Sequence, residues 1–200
     1  MRTPCVGFLS FIFVLGTSWA ANPIVPNVGM ADPNVRLMNG TFFAWATHDY
    51  SVNNTGFKML DWWVWSSADL VSWTLESTVV PADIFPWDEQ QNECWATDAA
   101  LRNGRYFFYV SVGGSSIAVA AADSPRGPWS DPLRKPLLDS GVAKSLRPTT
   151  TFRDPCVFQD DDGTFYLIAG VFEYYIAAFL DLAHDCDPYG VGALLVALFG

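Results

Sequence analysis

Cationic side chains are scarce: eleven Lys and Arg stand against twenty-one Asp and Glu, with two His and a formal net charge of −10. That deficit excludes a nucleic-acid partner, whose phosphates need a basic surface, and it fits a neutral ligand. Cysteine is scarce as well. Of four, Cys5 lies in an apolar leader; the spacings of Cys94, Cys156 and Cys186 match no zinc site, and an odd number cannot all pair within one chain. A Cys94–Cys156 bridge is left open. Helical periodicity is missing: no stretch of about twelve residues carries it. A membrane-spanning run is missing too, because the apolar segment Cys5 to Gly16 is well short of the roughly 20 residues a spanning helix needs.

That segment instead reads as the core of a secretory signal over residues 1–20. Arg2 supplies the positive end, and Ser18 and Ala20 are the small residues before a cut ahead of Ala21. A membrane anchor is the alternative. Secretion implies an extracellular protein with no membrane attachment after cleavage. It also makes Asn39 (in "NGT") and Asn53 (in "NNT") candidate N-glycosylation sites, although Asn39-Gly40 also reads as a tight turn.

What is abundant is aromatic: nine Trp, seven Tyr and fifteen Phe in a chain that is half apolar. Such a composition favours strands and supplies a core. Three segments repeat: "ADPNVRLMNGTFFAWAT" from Ala31, "ATDAALRNGRYFFYVS" from Ala96 and "RDPCVFQDDDGTFYLIAG" from Arg153. Each has an aspartate, a short apolar run, an Asn-Gly or Asp-Gly turn and an aromatic strand. Those dipeptides between apolar runs signal hairpins, because a type I′ turn needs positive φ at both central residues. The second half of the unit also recurs: "WVWSSADLVSWTLE" closes on Trp73 and "IAVAAADSPRGPWSDP" on Trp129. Each unit therefore reads as four strands.

Four strands recurring at about sixty residues point to propeller blades; a sandwich of short strands is the alternative. In a propeller the innermost strands line a central channel, so Asp32, Asp98 and Asp154 are expected to converge at one end of it, though 66 and 56 residues apart in sequence. Clustered carboxylates repel one another and suit acid–base work better than stability. The competing reading of each is a turn residue at a strand start.

Five blocks in order, "GMADPNVRLMNGTFFAWATHD", "DWWVWSSADLVSWT", "CWATDAALRNGRYFFYVS", "AVAAADSPRGPWSDPLRKPLL" and "RDPCVFQDDDGTFYLIAG", resemble glycoside hydrolase family 43. The resemblance covers about Pro23 to Asp181. It implies an all-β, five-bladed propeller, of which about three blades are present. It further implies a secreted inverting glycosidase that acts on arabinose- or xylose-containing polysaccharides, with no cofactor and no metal. By this resemblance Asp32 is the general base, Asp154 orients the acid and tunes its pKa, and a Glu on a later blade is the acid. Trp95 resembles the aromatic wall of the sugar subsite; a core position between blades is its competing reading. Asp98 and His48 are assigned to substrate binding, His48 with Asp49 at a strand end that is as easily structural.

Two features depart from that pattern. Five units need about 300 residues, and the chain has 200. Its glutamates are Glu76, Glu89, Glu93 and Glu173, none in the context expected of the acid. The partial propeller is expected to span residues 21–181, leaving 182–200 as an atypical tail whose run "VGALLVALF" fits no blade. A non-catalytic sugar-binding propeller, an inactive truncated product and a purely structural propeller are the competing functions.

Overall fold

The computed structural model describes residues 25, 27–51, 56–90, 93–141 and 151–171, together with the backbone of strands within 174–180 and 194–199. The signal segment, Asn53, Glu173 and Cys186 lie outside the described residues. Among the described residues no helix is long and apolar enough to cross a membrane.

The architecture is all-β, in three antiparallel sheets taken in chain order. The first holds β1 (Gly29–Met38), β2 (Thr41–Asp49), β3 (Met59–Ser67) and β4 (Thr74–Val79), each beside the next. A single turn of helix, α1 (Pro81–Ile84), leads onward. The second sheet holds β5 (Thr97–Arg102), β6 (Arg105–Val112) and β7 (Ser116–Ala122). The third holds β8 (Cys156–Gln159), β9 (Phe165–Val171), β10 (Tyr174–Leu180) and β11 (Leu194–Phe199).

Two of the three expected hairpin turns form as the dipeptides dictate. Asn39-Gly40 (φ 50° and 80°) and Asn103-Gly104 (φ 50° and 77°) carry positive φ at both central positions, and Met38 pairs Thr41 as Arg102 pairs Arg105. The third turn differs. Between Gln159 and Phe165 the loop is five residues long, and of Asp162-Gly163 only Gly163 (φ 88°) is left-handed. The run of aspartates is the reason. Asp160 and Asp162 use their carboxylates on the N–H groups of Asp161 and Thr164, which shapes a wider turn.

The second sheet also departs from the four-strand expectation. Among the described residues between β7 and β8, the second sheet gains only isolated bridges, Ala121 to Ser130 and Ile117 to Leu138. Pro125, Pro128 and Pro132 fall in this stretch, and proline cannot donate to a ladder. The tail is the opposite case. Leu194–Phe199, expected to fit no blade, pairs with β10 along its whole length as the outer strand of the third sheet. An apolar strand-forming run can extend a sheet edge whatever its repeat register.

Sheets pack face to face, and the middle one is buried on both sides. Tyr106, Phe108, Val110 and Val112 of β6 join Trp45, Trp62 and Val64 in one core between sheets one and two. The alternate residues Phe107 and Tyr109 join Ile117, Leu138, Phe152, Val157 and Leu167 in a second core between sheets two and three. Successive strand residues point to opposite faces, so a strand covered on both faces reads as the unbroken apolar run "YFFYV".

Candidate active site

Asp32 and Asp154 meet in one pocket. In β1, Ala31 pairs Thr47 and Asn34 pairs Trp45, so Asp32 and Pro33 together oppose a single residue. The extra residue makes a bulge, which re-aims a side chain out of the ladder. Asp32 takes φ 48° there, and Asp154, just ahead of β8, takes φ 53°. Left-handed backbone is uncommon outside glycine, and Asp is among the residues that tolerate it. Both aspartates precede proline, Pro33 and Pro155.

The pocket encloses about 440 Å³ and is lined by Ala31, Asp32, Phe57, Met59, Trp95, Arg153 and Asp154. The lining residues come from the start of β1, the start of β3 and its preceding loop, the connection between sheets one and two, and the approach to β8. The Asp154 N–H donates to Ser111 Oγ (2.9 Å), which ties the approach to the third sheet to the second sheet beside the pocket. Arg153 donates from Nε to the Gly114 carbonyl (2.6 Å), and its guanidinium lies 4.4 Å over the Trp95 ring. Gly113 and Gly114, both left-handed, form the β6–β7 turn that presents this carbonyl. The Trp95 backbone is fixed as well: its carbonyl accepts from Trp62 Nε1 (2.8 Å) and its N–H donates to the Ser111 carbonyl (3.2 Å).

The surroundings of Asp154 set its proton affinity. Partial burial raises the pKa of Asp154, the negative charge of Asp32 raises it further, and Arg153 acts in the opposite direction. A carboxylate pair of this kind, open to a cavity with an aromatic wall, can hold a water on one member and shape proton affinity with the other.

The other expected site residues lie elsewhere. Asp98 does not line this pocket. It is completely buried in β5, where it accepts from Arg36 Nε (3.0 Å) and Nη2 (2.5 Å), from the Ala99 N–H (2.7 Å) and from the Val157 N–H (2.6 Å). Arg36 also donates to the Val157 carbonyl (2.8 Å). Arg36, Asp98 and Val157 belong to sheets one, two and three, so this is a clamp joining all three. His48 does not line the pocket either. Its Nδ1 sits 3.1 Å from Asp61 Oδ1, and its ring lies between Tyr50 (3.9 Å) and Trp63 (4.0 Å) in tilted contacts. The Tyr50 hydroxyl donates to the other Asp61 oxygen (2.8 Å), so the cluster braces the ends of β2 and β3. Asp49 accepts from the N–H groups of Ser51 and Lys58 and closes the loop between those strands.

Asn39 holds its turn and donates from Nδ2 to the Tyr106 hydroxyl (3.0 Å). Cys94 is buried and Cys156 exposed, both as free thiols, so the bridge left open above does not form. Burial pushes the Cys94 thiol up. Glu76 pairs with Arg126 (2.7 Å), and none of Glu76, Glu89 and Glu93 lines the pocket. Among the described residues no group of three or more His, Cys, Asp or Glu is placed to hold a metal ion. Sequence reasoning missed Arg153, Ser111, Phe57 and Met59. Only Arg153 gave a signal, as the cation directly before the third aspartate.

Comparison with known proteins assigns the class. The sequence profile described as glycosyl hydrolases family 43 matches residues 20–182, and the chain belongs to that family. An arabinoxylan arabinofuranohydrolase of Bacillus subtilis is 35% identical over 171 residues, covering 75% of this chain and 33% of that protein. A xylosidase/arabinosidase of Humicola insolens is 30% identical, covering 74% and 45%. Among solved structures, a family 43 enzyme of Xanthomonas citri complexed with xylotriose superposes with a TM-score of 0.59 at 30% identity, covering 73% of this chain and 41% of that one. The Bacillus subtilis arabinoxylan arabinofuranohydrolase in complex with cellotetraose gives 0.66 at 26% identity, covering 88% and 42%. The chain spans less than half the length of each of these relatives.

Proposed function

We propose that this chain is part of a secreted inverting glycosidase acting on arabinose- or xylose-containing polysaccharides such as arabinoxylan, xylan or arabinan. The observation that carries the reading is the convergence of Asp32 and Asp154. They lie 122 residues apart in sequence, share a left-handed Asp-Pro backbone and line one pocket with Trp95. The three sheets are three blades of a five-bladed propeller in this reading. Support comes from the family's structures and from the apolar residues that further blades would cover, Val35 and Leu37 on β1 and Phe158 on β8, all exposed here.

In the proposed mechanism Asp32, as carboxylate, takes a proton from a water that attacks the anomeric carbon from the face opposite the leaving group. A Glu beyond the described residues protonates the leaving oxygen. In inverting enzymes the two groups stand about 6.5–9.5 Å apart to admit that water. Asp154 holds the acid in position and adds negative charge beside it, which keeps the acid protonated near neutrality. Trp95 offers an apolar ring to the sugar C–H groups. Arg153 holds that ring and offsets part of the carboxylate charge. That no described glutamate lines the pocket favours a second reading of these residues alone: sugar binding without turnover.

The test is Asp32→Asn in the complete protein, with aryl arabinofuranosides and xylosides as substrates. Turnover is expected to fall by about 10²–10⁴, the usual contribution of a general base, while sugar binding persists. Kinetics within threefold of wild type would remove Asp32 from the mechanism. Secretion is checked in the same expression experiment, by an N-terminus at Ala21 in the medium.

A further inference from the structure

We propose that a second pocket, walled by Trp87 and Trp129 at the seam between the first and second sheets, binds a saccharide chain at a distance from the Asp32–Asp154 pocket. It encloses about 360 Å³; Asp83, Ser130, Asp131 and Arg134 line it beside the two indoles, with Ile84 and Pro86 completing its apolar part. The volume lies within the range of about 300–1,000 Å³ for small-molecule sites. None of its lining residues belongs to the first pocket.

The chemistry of the lining selects the ligand. A sugar has apolar C–H faces and a rim of hydroxyls. It is bound by flat aromatic surfaces flanked by groups that accept or donate several hydrogen bonds. Trp87 and Trp129, both half-buried, supply the surfaces. The Asp83 carboxylate and the Arg134 guanidinium, both exposed, supply the hydrogen bonds, and the Ser130 hydroxyl, which donates to the Ala121 carbonyl (3.3 Å), remains an acceptor. Two carboxylates beside one guanidinium disfavour phosphate or any acidic ligand. A neutral polyhydroxylated chain meets no such repulsion. The choice of a pentose polysaccharide as that chain rests on the function proposed above.

The platform is built before any ligand arrives. Trp87 Nε1 donates to Asp131 Oδ2 (2.6 Å), and the ring lies 5.7 Å from Phe85, which is fully buried. Asp131 cannot turn away, because its other oxygen accepts the N–H groups of Leu133 (2.8 Å) and Arg134 (2.9 Å). Trp129 is seated on the buried Phe108 ring at 5.4 Å. Holding aromatic groups in place beforehand removes the ordering cost from binding.

Affinity electrophoresis of the full chain in gels with and without soluble arabinoxylan tests the site, in a Trp95→Ala background that removes the contribution of the first pocket. The Trp95→Ala protein is expected to be retarded. Adding Trp87→Ala should weaken the apparent affinity about tenfold or more, as truncation of a central aromatic anchor does. Arg134→Ala, a change at an exposed side chain, should weaken it several-fold with an unchanged melting temperature. If Trp87→Ala fails to fold, Arg134→Ala decides. Absence of retardation in the Trp95→Ala protein, or wild-type retardation in the Arg134→Ala variant, overturns the proposal. Hydrolysis of aryl pentosides by the complete protein, measured in parallel, fails only if the catalytic reading fails, so the two can fall separately.

Discussion

Asp98 and Asp154 occupy the same place in the repeat and meet opposite fates. Asp98 is fully buried and receives four donors across three sheets. Asp154 opens on a cavity, shares it with a second carboxylate and has a raised pKa. The difference begins one residue downstream. Ala99 has an N–H, and that N–H donates to Asp98 and turns the carboxylate inward. Pro33 and Pro155 have none to give, and their aspartates adopt left-handed backbone ahead of them. A repeated residue type is therefore not a repeated function. The donors within reach, near and far along the chain, decide whether the carboxylate spends its hydrogen-bonding capacity on the fold or keeps it for a ligand.

Asp98→Asn is the most severe way to break this contrast. Each Asp98 oxygen accepts two donors, so in either orientation the amide sets its NH₂ against one Arg36 nitrogen and one buried main-chain N–H. We expect a loss of about 3 kcal/mol in urea unfolding, toward the lower end for a broken buried pair because Arg36 is partly exposed. An isosteric change that left the unfolding midpoint alone would show that the clamp is dispensable. Asp154→Asn should leave the fold intact.

Ser111→Ala is a smaller intervention. It removes the acceptor of the Asp154 N–H and should cost about 1 kcal/mol. Turnover in the complete protein should drop several-fold through looser placement of Asp154. An unchanged turnover with lowered stability would make the hydrogen bond purely structural.

The smallest effect has an unusual sign. The folded-state pKa of Asp154 lies above its unfolded value, so between the two the native state binds more protons and stability falls as pH rises. Above the folded pKa the destabilisation is complete; below the ordinary carboxylate value it is absent. Asp154→Asn should therefore be slightly more stable than wild type at pH 7 and indistinguishable from it near pH 3, read by thermal melting at both. Removing the charge of Asp32 as Asn should bring the Asp154 titration down toward its ordinary value, followed by carboxyl carbon NMR.

What could be read from sequence was what is encoded locally. The Asn-Gly hairpins need only their own backbone chemistry, and both formed. The aromatic strands announced the cores because alternation is a property of each strand alone. The Asp-Pro pairs marked the two pocket aspartates. The fate of Asp98 was not legible, because its partners Arg36 and Val157 lie 62 and 59 residues away. His48 resembled a pocket residue until Asp61, Tyr50 and Trp63 were seen to enclose it. The third turn is wider than its Asp-Gly pair implies because neighbouring aspartates bond to their own main chain, which a dipeptide rule does not count.

The clamp also sets an order of assembly. As the chain leaves the ribosome, the first sheet and its Arg36 emerge early, and Asp98 follows into a site that is only partly furnished. The N–H that completes it, at Val157, arrives 59 residues later. Until then the outer face of the second sheet, with Phe107, Tyr109 and Ile117, is covered only by its own connection, through Leu138 and Phe152, and lacks Val157 and Leu167 of the third sheet. A nascent chain halted before residue 157 thus holds an unfinished anion site beside a greasy wall. Growth of the array is a sequence of dockings, each made secure by the one after it.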